Sequence, residues 1–124
     1  IRISTMGLTD VLQRQKNAFK AHFQPGFLQR DTCVFQFRFE ADEPFYLDIV
    51  GDDFEFYAGV HINATITLDI SDHETCWGLL DGRIDGMKAF MEGDFRADGN
   101  IVLSQLLLYL FKSNNPTIAY EVQY

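Results

Sequence analysis

The residues able to carry chemistry in this chain are few and scattered. His73-Glu74 opens the pattern His-Glu-x-x-His, which sets two zinc ligands one helical turn apart with a glutamate as general base. The second histidine would be residue 77, which is Trp77, so the pattern lacks a ligand. The pair fits the first turn of a helix instead. His22, His61 and His73 are far apart in sequence, no serine sits in a Gly-x-Ser-x-Gly elbow, and no glycine-rich run follows a strand as a phosphate cradle requires. Asp52-Asp53 and Glu92/Asp94 flank turns, where carboxylates are ordinary solvated punctuation. Cys33 and Cys76 have no Cys-x-x-Cys or Cys/His spacing around them and fall on apolar faces without a neighbouring cation, as inert core thiols do. The expectation is no catalytic residue, no metal and no cofactor.

Composition narrows the remaining classes. The 124 residues carry 18 acidic and 10 basic side chains, a net charge of −8, with no cluster of Lys or Arg. Such a surface repels phosphate, which disfavours nucleic acid and anionic membranes. At 47% hydrophobic with 12 Phe, the chain is not disordered and holds more aromatic interior than a small domain ordinarily needs. One domain over residues 1–124 is expected, with a leader over 1–8 and a C-terminal extension over 113–124. No stretch has the parts of a signal peptide, and the apolar run Ile101–Phe111 falls short of the roughly 20 residues of a bilayer span. A cytoplasmic protein without a transmembrane segment follows as the expectation.

The apolar residues must be placed by regular elements. Leu8, Leu12, Phe19 and Phe23 form one stripe of a helix over 9–23, capped by Thr9 and stopped at Gln24-Pro25-Gly26. From Cys33 the period becomes two: Cys33, Phe35, Phe37 and Phe39 point one way and Val34, Gln36, Arg38 and Glu40 the other, a half-buried strand. Phe45, Leu47 and Ile49, then Phe54 and Phe56 across Gly51-Asp52-Asp53, predict a hairpin. Ile62, Ala64, Ile66, Leu68 and Ile70 alternate with polar residues as a further strand. Ser71 and Glu74 form a capping box for a helix ending at Gly82, with Cys76, Trp77 and Leu80 inward. A shorter helix over 86–92 places Met87, Phe90 and Met91 inside, a strand over 94–98 follows, and Gly99-Asn100 turns into the last helix. Strands with one polar face gather their helices on the other face. The fold class is therefore α+β, two layers, with a largely antiparallel or mixed sheet.

The last helix is apolar beyond one face. On a helical wheel Val102, Leu103, Leu106, Leu107 and Leu110 make the core side, while Ile101, Leu108 and Phe111 stand opposite among Ser104, Gln105 and Lys112. A second apolar face implies a ligand, a partner or the chain's own tail after Pro116, where Ile118, Tyr120, Val122 and Tyr124 alternate.

Between Ala64 and Phe111 stand, in order, Ala64-Thr65-Ile66-Thr67-Leu68, Ser71-Asp72, Gly82-Arg83-Ile84-Asp85, Ala89-Phe90-Met91-Glu92-Gly93 and Gly99-Asn100. In these pieces and their spacing the stretch resembles the sterol carrier protein 2 family of lipid-binding domains. The resemblance implies a five-stranded sheet with helices over one face and an apolar tunnel between them, used for non-catalytic binding and transfer of sterols, fatty acids, acyl-CoA or similar lipids. It also implies that the last helix lines or gates the tunnel. Where the family has a basic Gly-Lys-Leu-Lys-Ile-x-Gly strand, this chain has Gly93-Asp94-Phe95-Arg96-Ala97-Asp98-Gly99, which removes positive charge. Val122-Gln123-Tyr124 is not a Ser-Lys-Leu peroxisomal address. The residues expected to line a lipid site are Phe35, Phe37, Leu68, Trp77, Phe90, Met91, Leu103, Leu107 and Phe111, with Gln105 as the mid-helix polar group for a headgroup. The alternative is a lipid-presenting or dimerising accessory module, meeting a second copy or a partner enzyme, for example of quinone synthesis, through the last helix or tail.

Overall fold

The period-two stretches pair into one sheet in the computed structural model, which describes residues 7–28 and 30–111. Its strands are β1 (Thr32–Phe39), β2 (Phe45–Val50), β3 (Asp53–Ala58), β4 (Ile66–Ile70) and β5 (Phe95–Asp98), in the order β3-β2-β1-β4-β5. Neighbours are antiparallel except β1 and β4, which run parallel with Phe37 opposite Leu68. The helices are α1 (Leu8–Phe19), α2 (His73–Asp81), α3 (Gly86–Met91) and α4 (Ile101–Leu110). They cover the face of the sheet that carries Phe35, Phe37, Phe45 and Phe56, which are all buried. The fold is α+β, as the alternation of apolar and polar residues requires.

The parallel pair forces the chain to cross the outer face between β3 and β4, and this corrects two expectations. Val34 and Gln36 are not solvated: they are 9% and 2% exposed because the crossover passes over them. Gln36 Nε2 donates to the carbonyls of Phe37, Phe45 and Gly59, and Oε1 accepts the His61 amide at 2.7 Å. Ile62 belongs to the crossover rather than to a strand and is 99% exposed, so β4 begins at Ile66. Gln36→Leu is expected to cost about 2 kcal/mol in urea unfolding, since it leaves the His61 amide and Gly59 carbonyl without their buried partner.

Helix starts also differ from the sequence reading. Helix α1 begins after Gly7, whose carbonyl accepts the Asp10 and Val11 amides, and Thr9 lies in its first turn. It ends at Phe19 and tightens into a 3-10 turn over Lys20–His22. Lys16 joins it to β3 through Glu55 at 2.8 Å. The cap of α2 is Asp72, not Ser71. The Ser71 amide is held by the Asp94 carbonyl beside β5, so the chain enters the helix one residue later. The Asp72 carboxylate accepts the Thr75 amide at 2.8 Å, and bonds from the Thr75 side chain and backbone hold its pKa below the ordinary 3.8. Asp72→Ala should cost about 1 kcal/mol at neutral pH. A depressed carboxyl pKa stabilises the fold above the unfolded-state value, so that contribution disappears as pH falls below 3.8. Urea midpoints of variant and parent should therefore converge in acid.

Candidate functional site

Between the sheet and the helices the aromatic residues fill the layer. The Phe111 ring lies 5.0 Å from both Phe19 and Phe54 and stacks on Phe23 at 5.4 Å. Trp77 stacks on Phe45 at 4.9 Å and meets Phe56 edge-on at 5.4 Å. Phe35, Phe37, Leu68, Trp77, Leu103, Leu107 and Phe111, seven of the residues expected to line a lipid site, are all buried in this one cluster. They are placed as packing residues in contact with other side chains.

A mainly apolar groove lies between α3 and α4. Asp85 caps α3 by accepting the Met87 and Lys88 amides, and Asn100 caps α4 by accepting the Val102 and Leu103 amides. Gly86, the first residue of α3, sits so near α4 that a β-carbon there would lie 2.5 Å from Leu108 Cδ1. Beside this contact is a groove of about 340 Å³, with Met87 and Phe90 on one wall, Phe95 of β5 at the base, and Ile101, Ser104, Gln105, Leu108 and Tyr109 on the other wall. Phe90 packs edge-on against Phe95 at 6.2 Å. Of the expected lipid contacts, Phe90 and Gln105 meet here; Met91 is on α3 but does not line the groove.

The groove arises because α3 and the first turn of α4 face outward more than their sequences suggest. Met87, Phe90 and Met91 were expected inside, yet they are 61%, 44% and 77% exposed, and Ala89 alone of α3 is buried. The helix is short and lies beside the edge strand β5, where the Asp94 amide bonds to the Ala89 carbonyl and pins the small residue inward. In α4, Val102 is exposed and Ser104 buried, the reverse of the helical wheel. The Ser104 hydroxyl donates to the Ile101 carbonyl at 2.6 Å, which satisfies it locally and lets that side of the helix face the interior. Phe111 is buried rather than outward because it leaves helical geometry at the C-cap. Ile101 and Leu108 do stand off the main core face, as the sequence indicates. Tyr109 and Ser104 are groove residues that no spacing marked.

His73 and the two cysteines are held within the fold. The His73 ring contacts the Glu43 carbonyl through Nε2 at 2.7 Å and sits edge-on to Phe39, tying the β1–β2 connection to α2. Burial pushes the Cys76 thiol well up. Cys33 is also raised by burial, although Thr65 and Arg30 beside it act the other way; the sequence had placed no cation there. Among the described residues no group of three or more His, Cys, Asp or Glu side chains is arranged to hold a metal ion. None of the described helices is long and apolar enough to cross a membrane.

No family model matches the chain, and no curated protein matches it by sequence. Solved structures do match. A UbiJ-SCP2 ubiquinone synthesis protein superposes with a TM-score of 0.65 over 86% of this chain and 93% of its own, at 12% identity. Palmitated SCP2L2 from Aedes aegypti gives 0.59 over 90% and 100%, at 17% identity. A stereoselective inverting sec-alkylsulfatase from Pseudomonas gives 0.64 over 83% of this chain, but this chain corresponds to only 16% of that enzyme. At these identities the likeness is one of fold, and the chain has a sterol carrier protein 2-like fold.

Proposed function

We propose that this protein binds a lipid with a long apolar chain and carries it without chemical change, holding the chain in the groove between α3 and α4. The observation that carries the reading is the groove itself: about 340 Å³, walled by Met87, Phe90, Ile101, Leu108 and Tyr109, with the Gln105 amide as a polar group among them. Binding pockets of a few hundred Å³ with apolar walls and few polar groups suit such ligands. Fatty acid, acyl-CoA and sterol share the required apolar body, and walls of this kind discriminate chain length weakly. The likeness to a palmitated SCP2L2 supports the same class. The expectation of a non-catalytic role rests on the incomplete constellations of the sequence and on the structural engagement of His73.

A second reading has its own support. Met91 and Val102 lie on the groove's two helices, outside its lining, and are 77% and 60% exposed, which leaves apolar surface that a lipid in the groove does not account for. That surface, together with the likeness to a ubiquinone synthesis protein, favours a module that presents its lipid to a partner enzyme or pairs with a second copy. Native mass spectrometry of protein purified without detergent distinguishes the two. A carrier retains lipid at monomer mass and takes up a fluorescent fatty acid in its place. A ligand-free dimer that rejects the fluorescent fatty acid would overturn the carrier reading in favour of the module.

A further inference from the structure

The groove between α3 and α4 is poor in positive charge, and the elements around it make it so. Among the described residues its lining holds one carboxylate, Asp85, and no Lys, Arg or His. The cations of the neighbouring segments are placed elsewhere. Arg83 is held against α2 by Asp81 at 2.7 Å and Glu74 at 3.7 Å. Lys88 is on α3 but outside the groove's lining. Arg96 follows Phe95 on β5, and because strand residues alternate it stands on the outer face of the sheet, opposite Asp69 and in a cleft with Arg38.

Both helices also begin at the groove, where free amides would attract an anion, but their own caps take those amides. Asp85 Oδ1 accepts the Met87 and Lys88 amides at 3.0 and 3.3 Å, and Asn100 Oδ1 accepts those of Val102 and Leu103 at 2.9 and 3.3 Å. At α3 the cap is itself a carboxylate. A second carboxylate or a phosphate entering the groove would lose water, meet no cation and face a like charge, in a chain whose net charge is −8. What the groove offers instead is the Gln105 carboxamide, which donates and accepts at once. Beside it the Ser104 oxygen, having donated to the Ile101 carbonyl, still has room to accept.

We propose that the groove selects lipids whose polar end is uncharged and hydrogen-bonding, as in a long-chain alcohol, ester or amide, over lipids ending in a carboxylate or phosphate. Asp85 disfavours the anion and Gln105 bonds the neutral head. The inference rests on the lipid reading and narrows it: the apolar walls supply affinity, and these two side chains set which head is accepted.

Titration of the delipidated full chain with a pyrene-labelled long-chain alcohol, and with the acid of the same chain at about pH 8 where a carboxyl is ionised, measures the selection. The alcohol should bind about tenfold tighter, the discrimination that one pKa unit of like-charge interaction represents. An ion also leaves water less readily than an alcohol does, so variants separate the protein's part from the lipid's own. Asp85→Asn keeps an amide-accepting cap and should cut the alcohol's advantage by about threefold. Gln105→Arg, at an exposed position, should reverse the preference in favour of the acid. Arg96→Gln, on the outer face, should leave it as in the parent. Tighter or equal binding of the acid by the parent overturns the selection and leaves the lipid reading standing, as does an advantage that neither Asp85→Asn nor Gln105→Arg alters. Acid binding that is lost in Arg96→Gln overturns it as well, by placing the head in the outer cleft. A parent chain that binds neither lipid sinks the lipid reading, and this inference with it.

Discussion

Phe111→Ala is expected to lower the free energy of unfolding by about 3–5 kcal/mol, the cost of removing a large ring from a site that cannot collapse. The ring is 0% exposed and touches the rings of Phe19, Phe23, Phe54 and Phe56, which come from α1, its following segment and β3. Those neighbours are held by the sheet and by each other, so little can move into the space. Urea unfolding followed by the single tryptophan reports the loss directly, because Trp77 stacks on Phe45 within the same cluster. The same measurement separates two roles for the residue. A ring that merely bordered an open lipid path would already face empty space, and its removal would cost less than about 1 kcal/mol while widening the path and strengthening lipid uptake. The close aromatic contacts predict the large loss instead.

The strands were legible from the sequence because a half-buried strand writes its two faces into alternate residues, and Phe35, Phe37, Leu47, Phe56 and Leu68 all fell on the inner face as read. What alternation cannot encode is a second covering. Val34 and Gln36 read as solvent-facing, yet the β3–β4 crossover lies over them, a consequence of the parallel pairing that emerges only when the sheet order is known. The helix capped at Asp72 was placed to within one residue, and the error came from a long-range bond of Ser71 to Asp94. The site was harder to read. Its two walls come from segments that carry no common motif, and the facing of α3 depends on its position beside the edge strand rather than on its own apolar residues. Apolar surplus in α4 was visible; that Ser104 and not Val102 would turn inward was not, because a serine bonded to its own helix backbone gives up its polarity without any sign in the sequence. The segment over 113–124, read as an extension that packs or pairs, lies outside the described residues.

The location of the lipid can be decided by placing the same bulky residue at two positions of α4, 105 and 107. Gln105 is exposed and lines the groove, whereas Leu107 is 2% exposed in the aromatic core. An indole at position 105 can occupy the groove without disturbing packed neighbours. Gln105→Trp should therefore weaken uptake of a fluorescent fatty acid at least tenfold, with unfolding free energy within about 0.5 kcal/mol of the parent, as for other exposed substitutions. Leu107→Trp has no such space. It must push aside side chains already in contact and should destabilise the fold by about 1–3 kcal/mol. If the lipid lay between sheet and helices, the order would invert: Leu107→Trp would block uptake at little cost in stability, and Gln105→Trp would leave uptake unchanged. Fluorescent-lipid titration and urea unfolding on both variants give four values, and the groove survives only if affinity falls at position 105 while stability falls at position 107.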